Sequence, residues 1–221
     1  MLDGEALLEL YQRGRAGDAL TRLAALAQAA GAADATLPLG EIDRRIWALR
    51  AGWLGEVGGN AGAEAVCACP ACGARLEFTL PPGFALPEPQ SGTAEVVVDW
   101  QGRAHVLHQP RLSDIGPGGL RLQALGDGPW QDPGFVDLAA QALQQADPAL
   151  GFGFAMTCPD CGATRDQLFD PGGYFWAEIE QAARRLLAEV IRLARAFGWS
   201  EAQILAMPPA RRALYLAEVT P

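Results

Sequence analysis

The sequence predicts an α+β protein with N- and C-terminal helices packed around a small antiparallel β unit. Three observations carry that expectation. Apolar residues recur at helical spacing at both ends, alternating segments lie between them, and one turn occurs twice: Cys69-Pro70-Ala71-Cys72-Gly73 and Cys158-Pro159-Asp160-Cys161-Gly162. The turns are separated by 85 residues that hold no other cysteine.

The N-terminal region, 1–60, reads as helical. Leu7, Leu8, Leu10 and Tyr11 mark a first helix that breaks at residues 13–17, and Asp18 is placed to cap a second with Leu20, Leu23, Ala24 and Ala27 on one face. A third helix follows residues 36–40, with Ile42, Ile46, Leu49 and Trp53 as its buried stripe. Region 61–173 reads as the β unit with a Pro/Gly-rich insertion. Strands are expected at 76–80, 94–100 and 103–107, the last two joined as a hairpin through Gln101-Gly102. Residues 110–133 read as loop, 135–145 as a short amphipathic helix, and 151–156 as a strand entering the second cysteine turn. Region 174–221 is helical. Phe175, Ile179, Ala182, Leu186, Val190, Leu193 and Phe197 line one face up to Gly198, Ser200 to Gln203 forms a capping box, and Pro208-Pro209 opens the last helix. The three regions are expected to form one compact domain.

Each cysteine turn offers two thiolates on a tight bend whose backbone amides can face sulfur. Two such turns supply four ligands, so Cys69, Cys72, Cys158 and Cys161 are expected to hold one structural zinc ion in a zinc-ribbon-like unit. The alternatives are unmetallated thiols, local disulfides, or a redox dithiol. The last expects its first cysteine to open a helix in a βαβ pattern, whereas Gly and Ala follow each pair here. Four protein ligands leave no position for water, which argues against metal-assisted hydrolysis. Cys67 is expected outside the ligand set, as a small buried residue. His105 and His108, three positions apart in an extended stretch, are expected on opposite faces rather than as a metal pair.

All 17 basic residues are arginine against 26 acids, for a net charge of −9. Residues 76–157 carry nine acids and three arginines, whereas 174–221 carry six arginines and five acids. An acidic chain without a basic stripe is a poor candidate for nucleic acid, and protein partners are expected instead. No apolar run is long enough to span a bilayer, the N-terminus lacks the pattern of a signal peptide, and paired cysteines suit a reducing compartment, so the cytoplasm is expected. No Gly-x-Ser-x-Gly, His-Glu-x-x-His or Walker loop is present, and the chain is not expected to be an enzyme.

Four ordered segments carry a resemblance. They are Leu37-Pro-Leu-Gly40 with Asp43-Arg44; the first cysteine turn with Leu76-Glu-Phe78; the second cysteine turn; and Phe169-Asp-Pro171 through Phe175-Trp-Ala-Glu178 to Phe197-Gly-Trp-Ser-Glu201, Ile204-Leu205 and Arg211-Arg212-Ala-Leu-Tyr215. Together they resemble the baseplate hub assembly chaperones of T-even-type phages, whose relatives also occur in contractile injection systems and prophage tail clusters. The Gly-Trp-Ser-Glu motif with the paired arginines is the most specific part, and residues 81–133 match nothing. The resemblance implies a non-enzymatic assembly factor or structural component of a phage-tail-like baseplate that binds hub or spike proteins in the bacterial host cell and either leaves or stays in the particle. A zinc ribbon that binds nucleic acid and a dithiol redox enzyme are the rival classes. Within the tail, Trp199 is expected to be structural, and Arg211 and Arg212 are expected on the exposed side of the last helix, available to an acidic partner.

Overall fold

A computed structural model describes residues 2–34, 36–56, 62–90 and 95–219. Along the chain it holds α1 (Gly4–Gly14), α2 (Ala19–Ala29), α3 (Leu39–Glu56), β1 (Ala63–Ala68), β2 (Arg75–Leu80), β3 (Glu95–Trp100) and β4 (Arg103–His108). The two-residue strands β5 (Ile115–Gly116) and β6 (Gly119–Leu120) come next, then α4 (Pro133–Ala146), β7 (Gly153–Thr157) and β8 (Thr164–Leu168). Helices α5 (Pro171–Phe197), α6 (Glu201–Leu205) and α7 (Pro209–Glu218) complete an α+β fold. The strands pair only as antiparallel hairpins: β1 with β2, β3 with β4, β5 with β6 and β7 with β8. Among the described residues no helix is long and apolar enough to cross a membrane.

The chain divides into two compact units, residues 1–26 with 173–221, and residues 27–172. Helix α3 groups with the strands and α1 with α5–α7.

In the first unit α1 starts at Asp3, whose Oδ1 accepts from the Ala6 amide at 2.9 Å, satisfying a donor the helix leaves unpaired. Leu7 and Leu10 of α1 are buried, as are Phe175, Trp176, Ile179, Ala183, Leu186, Val190 and Leu193 of α5 and Ile204 of α6. Each large apolar side chain removed from water in this way contributes roughly 1.5–3 kcal/mol. Two members of the expected α5 stripe move: Ala183 takes the buried place assigned to Ala182, and Phe197 at the helix end is 41% exposed. Ser200 and Gln203 form the capping box as expected, with the Ser200 amide donating to Gln203 Oε1 at 2.9 Å.

Helix α2 is capped as expected by Asp18, which accepts from the Thr21 amide at 2.9 Å. Its buried residues are Ala25, Leu26 and Ala27, whereas Leu20 and Leu23 are half-buried and Ala24 is exposed. In α3, Ile42 and Ile46 are buried as expected, while Leu49 and Trp53 are only half-buried. Trp47 and Arg50 take the remaining buried places, with the Arg50 guanidinium 4.5 Å from the Trp47 ring centre. An arginine on an aromatic face replaces some lost hydration by cation–π attraction, and Arg50 Nη2 also donates to the Gly62 carbonyl at 3.2 Å.

Two aromatic-rich clusters lie among the described residues of 27–172. In one, Trp47, Phe84, Phe152, Phe154 and Phe169 meet at ring separations of 5.1–6.4 Å, and Phe78 of β2 joins through Phe154 at 5.4 Å. The Phe78–Phe154 contact sets hairpin β1–β2 beside hairpin β7–β8. In the other cluster, Val98 and Leu107 of hairpin β3–β4 pack on Phe135, Ala139 and Leu143 of α4. The expected β3–β4 hairpin is therefore present, turning at Gln101 and Gly102 with both φ positive, but it belongs to a separate sheet from the cysteine hairpins. Strands β1 and β8 were not expected. Ala63–Ala68 is mostly small residues and Thr164–Leu168 mostly polar, so neither has the large β-formers that mark a strand in sequence, and each is held by the ladder to its partner.

Arg44 ties α3 to the end of α4. Its Nη1 and Nη2 donate to the two carboxylate oxygens of Asp147 at 2.7 and 3.0 Å, and Nη1 also reaches the Pro87 carbonyl at 3.0 Å. The Asp147 carboxylate lies against Gly40, where any Cβ would collide with it, so the glycine is a condition of the ion pair. Neighbouring Asp43 has its carboxyl raised to about 7, by burial first and then by the carboxylates of Asp170 and Asp147, against the opposing pull of Arg44.

A carboxyl that keeps its proton more tightly in the folded chain costs stability as it ionises. Stability should therefore fall as pH rises from the ordinary value of 3.8 to about 7, and level off above that. Asp43→Asn is expected to flatten this slope, stabilising the protein by a few kcal/mol at most above neutral pH with little change in acid. Urea titrations across that range check it, and a loss of stability at alkaline pH would show that the ionised carboxylate is a required acceptor.

Candidate metal centre

Both cysteine turns are built by the same local rules. Each follows a strand, β1 or β7, and precedes its hairpin partner, β2 or β8. In the first, the Cys69 amide donates to the Ala74 carbonyl at 2.7 Å and the Gly73 amide to the Cys69 carbonyl at 2.7 Å. In the second, the Cys158 amide donates to the Ala163 carbonyl and the Gly162 amide to the Cys158 carbonyl, both at 2.9 Å. Gly73 and Gly162 adopt φ of 76° and 71°, a left-handed conformation that side chains other than glycine enter at a cost. The turn reverses the chain within six residues and leaves both sulfurs on one side.

The two turns face each other. Cys69 Sγ lies 3.8 Å from Cys161 Sγ, and Cys72 Sγ lies 3.7 Å from Cys158 Sγ, so the first sulfur of each turn meets the second of the other. All four sulfurs lie within 4.8 Å of one another. Ligands at about 2.3 Å around a tetrahedral ion stand about 3.8 Å apart, so the cluster fits a four-thiolate metal site. All four are free cysteines. The expected residues are thus brought together, and among the described residues no other group of His, Cys, Asp and Glu side chains is arranged to hold a metal.

The electrostatics of the cluster call for a cation. The amides of Cys72 and Ala71 point at Cys69 and draw its thiol down to about 7. The Ala74 amide pulls Cys72 the same way, but the sulfurs of Cys161, Cys158 and Cys69 outweigh it and push that thiol up to about 12. Four thiolates this close cannot all form without a positive charge between them. Cys69 and Cys158 are buried among Leu76, Ala74, Cys67 and Met156, while Cys72 and Cys161 face solvent. The packing partners Leu76 and Met156 were not read from the sequence as part of this site. Their signal was only that they stand two or more positions from a ligand on an adjoining strand.

Cys67 packs against the cluster but is not one of its four sulfurs. His105 is buried and donates from Nδ1 to the Asp127 carbonyl at 2.9 Å, while the ring nitrogens of His108 lie 2.8 and 2.7 Å from the carbonyls of Gln109 and Ala124. Both histidines are thus engaged by backbone carbonyls, and neither belongs to the four-sulfur cluster.

The paired arginines of the tail separate. Arg211 is exposed on α7, as expected. Arg212 is not: it is 7% exposed, with Nε 3.3 Å from Glu189 Oε2 and Nη1 donating to the Met207 carbonyl at 2.7 Å. Successive residues on a helix point about 100° apart, and this turn puts Arg212 on the α5 side, so it is an internal tie rather than a docking residue. Trp199 is half-buried, stacked on Phe197 at 4.5 Å and edge-on to Tyr215 at 4.9 Å. Arg212→Ala, which leaves Glu189 and a carbonyl without a donor, is expected to cost about 1–3 kcal/mol in denaturant titration. Arg211→Ala is expected to stay within about 0.5 kcal/mol of the parent. Equal losses would place both side chains inside the fold.

Comparison with protein families, with curated proteins and with solved structures finds no match to this chain.

Proposed function

We infer that this chain is a non-enzymatic assembly factor or structural component of a phage-tail-like baseplate, folded around one structural zinc ion. The four-sulfur cluster carries the metal half of this reading. Four thiolates at tetrahedral spacing form a soft, closed donor set, and zinc suits such a set without redox chemistry of its own. Cys69, Cys72, Cys158 and Cys161 would hold the ion, which when bound supplies a positive charge that lets all four thiols ionise. With every position filled by the protein, the ion's part is to fix two hairpins to each other. The assembly half rests on the ordered resemblance to baseplate hub assembly chaperones, strongest in the Gly-Trp-Ser-Glu tail. The acidic composition supports protein rather than nucleic-acid partners, and a cytoplasmic place of action follows from assembly in the host cell.

Elemental analysis of protein purified without chelator is expected to give about one zinc per chain. Cys158→Ser should abolish that content and Cys67→Ser should preserve it, and chelation should lower the melting temperature because metal affinity of this kind is folding free energy. Iron in place of zinc, or a metal-free protein with unchanged stability, would overturn the assignment.

Co-expression with the hub and spike proteins of a tail-like particle should give a stable complex with one of them. Quantitative mass spectrometry of particles beside cell lysate then separates the two forms of the reading. A chaperone is scarce in particles, whereas a structural component appears at a fixed ratio. Failure to co-purify with any tail protein removes both.

A further inference from the structure

The end of the α5–α7 unit carries an apolar surface that the fold does not use. Phe197, Trp199 and Tyr215 form a three-ring cluster with centre separations of 4.5, 4.9 and 5.7 Å. The cluster is open to solvent: Phe197 is 41% exposed, and Trp199 and Tyr215 are half-buried. Beside it on α7, Leu214 is 71% exposed, the highest value among the large apolar side chains described. Arg211 holds its guanidinium 6.0 Å from the Tyr215 ring centre and makes no ion pair among the described residues. Arg211, Leu214 and Tyr215 stand three and four residues apart and so share a helix face.

This face is held rigid from behind. Arg212 joins α7 to Glu189 of α5, and Arg192 of α5 donates from Nη2 to the Leu216 and Val219 carbonyls at 3.3 and 3.5 Å. The helix that carries Arg211, Leu214 and Tyr215 is therefore tied in place before a partner arrives, which reduces the entropy cost of docking. Tryptophan, tyrosine and arginine are the residue types that most often anchor protein interfaces, and a cation resting on an aromatic ring beside an apolar side chain matches a carboxylate flanked by an apolar group.

We propose that Arg211, Leu214, Phe197, Trp199 and Tyr215 form a docking surface for an acidic protein segment. Such a segment sets an apolar side chain against Leu214 and Phe197 and a carboxylate on Arg211. This assignment rests on the partner-binding half of the proposed function and adds to it the surface and the chemistry of the partner. Charge sharpens the distinction. The whole chain carries a net charge of −9 and repels an acidic peptide, so a preference for one must arise locally.

The test uses two fluorescein-labelled amphipathic peptides of equal length and leucine pattern, one with glutamate and one with lysine at every polar position. The full chain is expected to bind the glutamate peptide more tightly, and Arg211→Glu and Leu214→Ser are each expected to weaken that binding about tenfold, the effect of losing a central anchor, at unchanged melting temperature. Preference for the lysine peptide, equal binding of both, binding of neither, or full retention in the variants overturns the proposal. So does a self-associated chain that Leu214→Ser makes monomeric without any peptide binding, since a second copy is then the occupant. Co-purification with a hub or spike protein that survives both substitutions removes only this surface. Peptide preference without any such co-purification removes the baseplate reading and leaves the surface.

Discussion

The meeting of the two cysteine turns is the constraint that sets hairpins β1–β2 and β7–β8 together. It joins turns 85 residues apart, and each turn is stable locally only as the end of a two-stranded hairpin. An isolated hairpin is marginal in water. Closing a loop of this length costs about 4 kcal/mol in chain entropy from the length-dependent part alone. The zinc ion proposed for this site would offset that cost, since apparent binding free energies of structural zinc in small peptides run about 10–16 kcal/mol. The aromatic contact of Phe78 with Phe154 reinforces the same juxtaposition from the other end of the hairpins.

The division of labour among charges follows from burial. Arg44 and Asp147 form a two-point ion pair with further hydrogen bonds to the Pro87 carbonyl and from the Ala149 amide, so few of their polar atoms are left unmatched. Such a pair gives modest net stability but is costly to break from one side. It also requires Gly40, which gives the Leu-Pro-Leu-Gly segment and Asp43-Arg44 a physical role in joining α3 to α4. The tail repeats the pattern. Two arginines adjacent in sequence have unlike surroundings, one inside a salt bridge and one resting on an exposed ring.

On the function proposed above, a closed four-cysteine site and an exposed aromatic surface are complementary features. A metal ion bound there would make a rigid joint from little apolar area, while the exposed rings and leucine leave apolar area open to a partner. The segment 76–157 carries nine acids against three arginines, whereas the tail 174–221 carries six arginines against five acids.

What the sequence determined by itself is what local chemistry decides. The two Cys-Pro-x-Cys-Gly turns, the Asp18 cap, the Ser200–Gln203 capping box and the Gln101-Gly102 hairpin depend on residues close in sequence and are present, and the long α5 stripe is present with Ala183 in place of Ala182 and Phe197 exposed. Only the tertiary structure decided the rest. The crossed pairing of Cys69 with Cys161 and Cys72 with Cys158, the strands β1 and β8, the burial of Arg50 on Trp47, the Arg44–Asp147 clamp and the Arg212–Glu189 tie were not legible. Apart from the Arg50–Trp47 pair, which is three apart, and the hairpin partners, these contacts join residues 23 to 103 positions apart. Periodicity reports which face of an element is apolar, but the partner of a buried charge or a weakly alternating strand is fixed by which groups folding brings within reach.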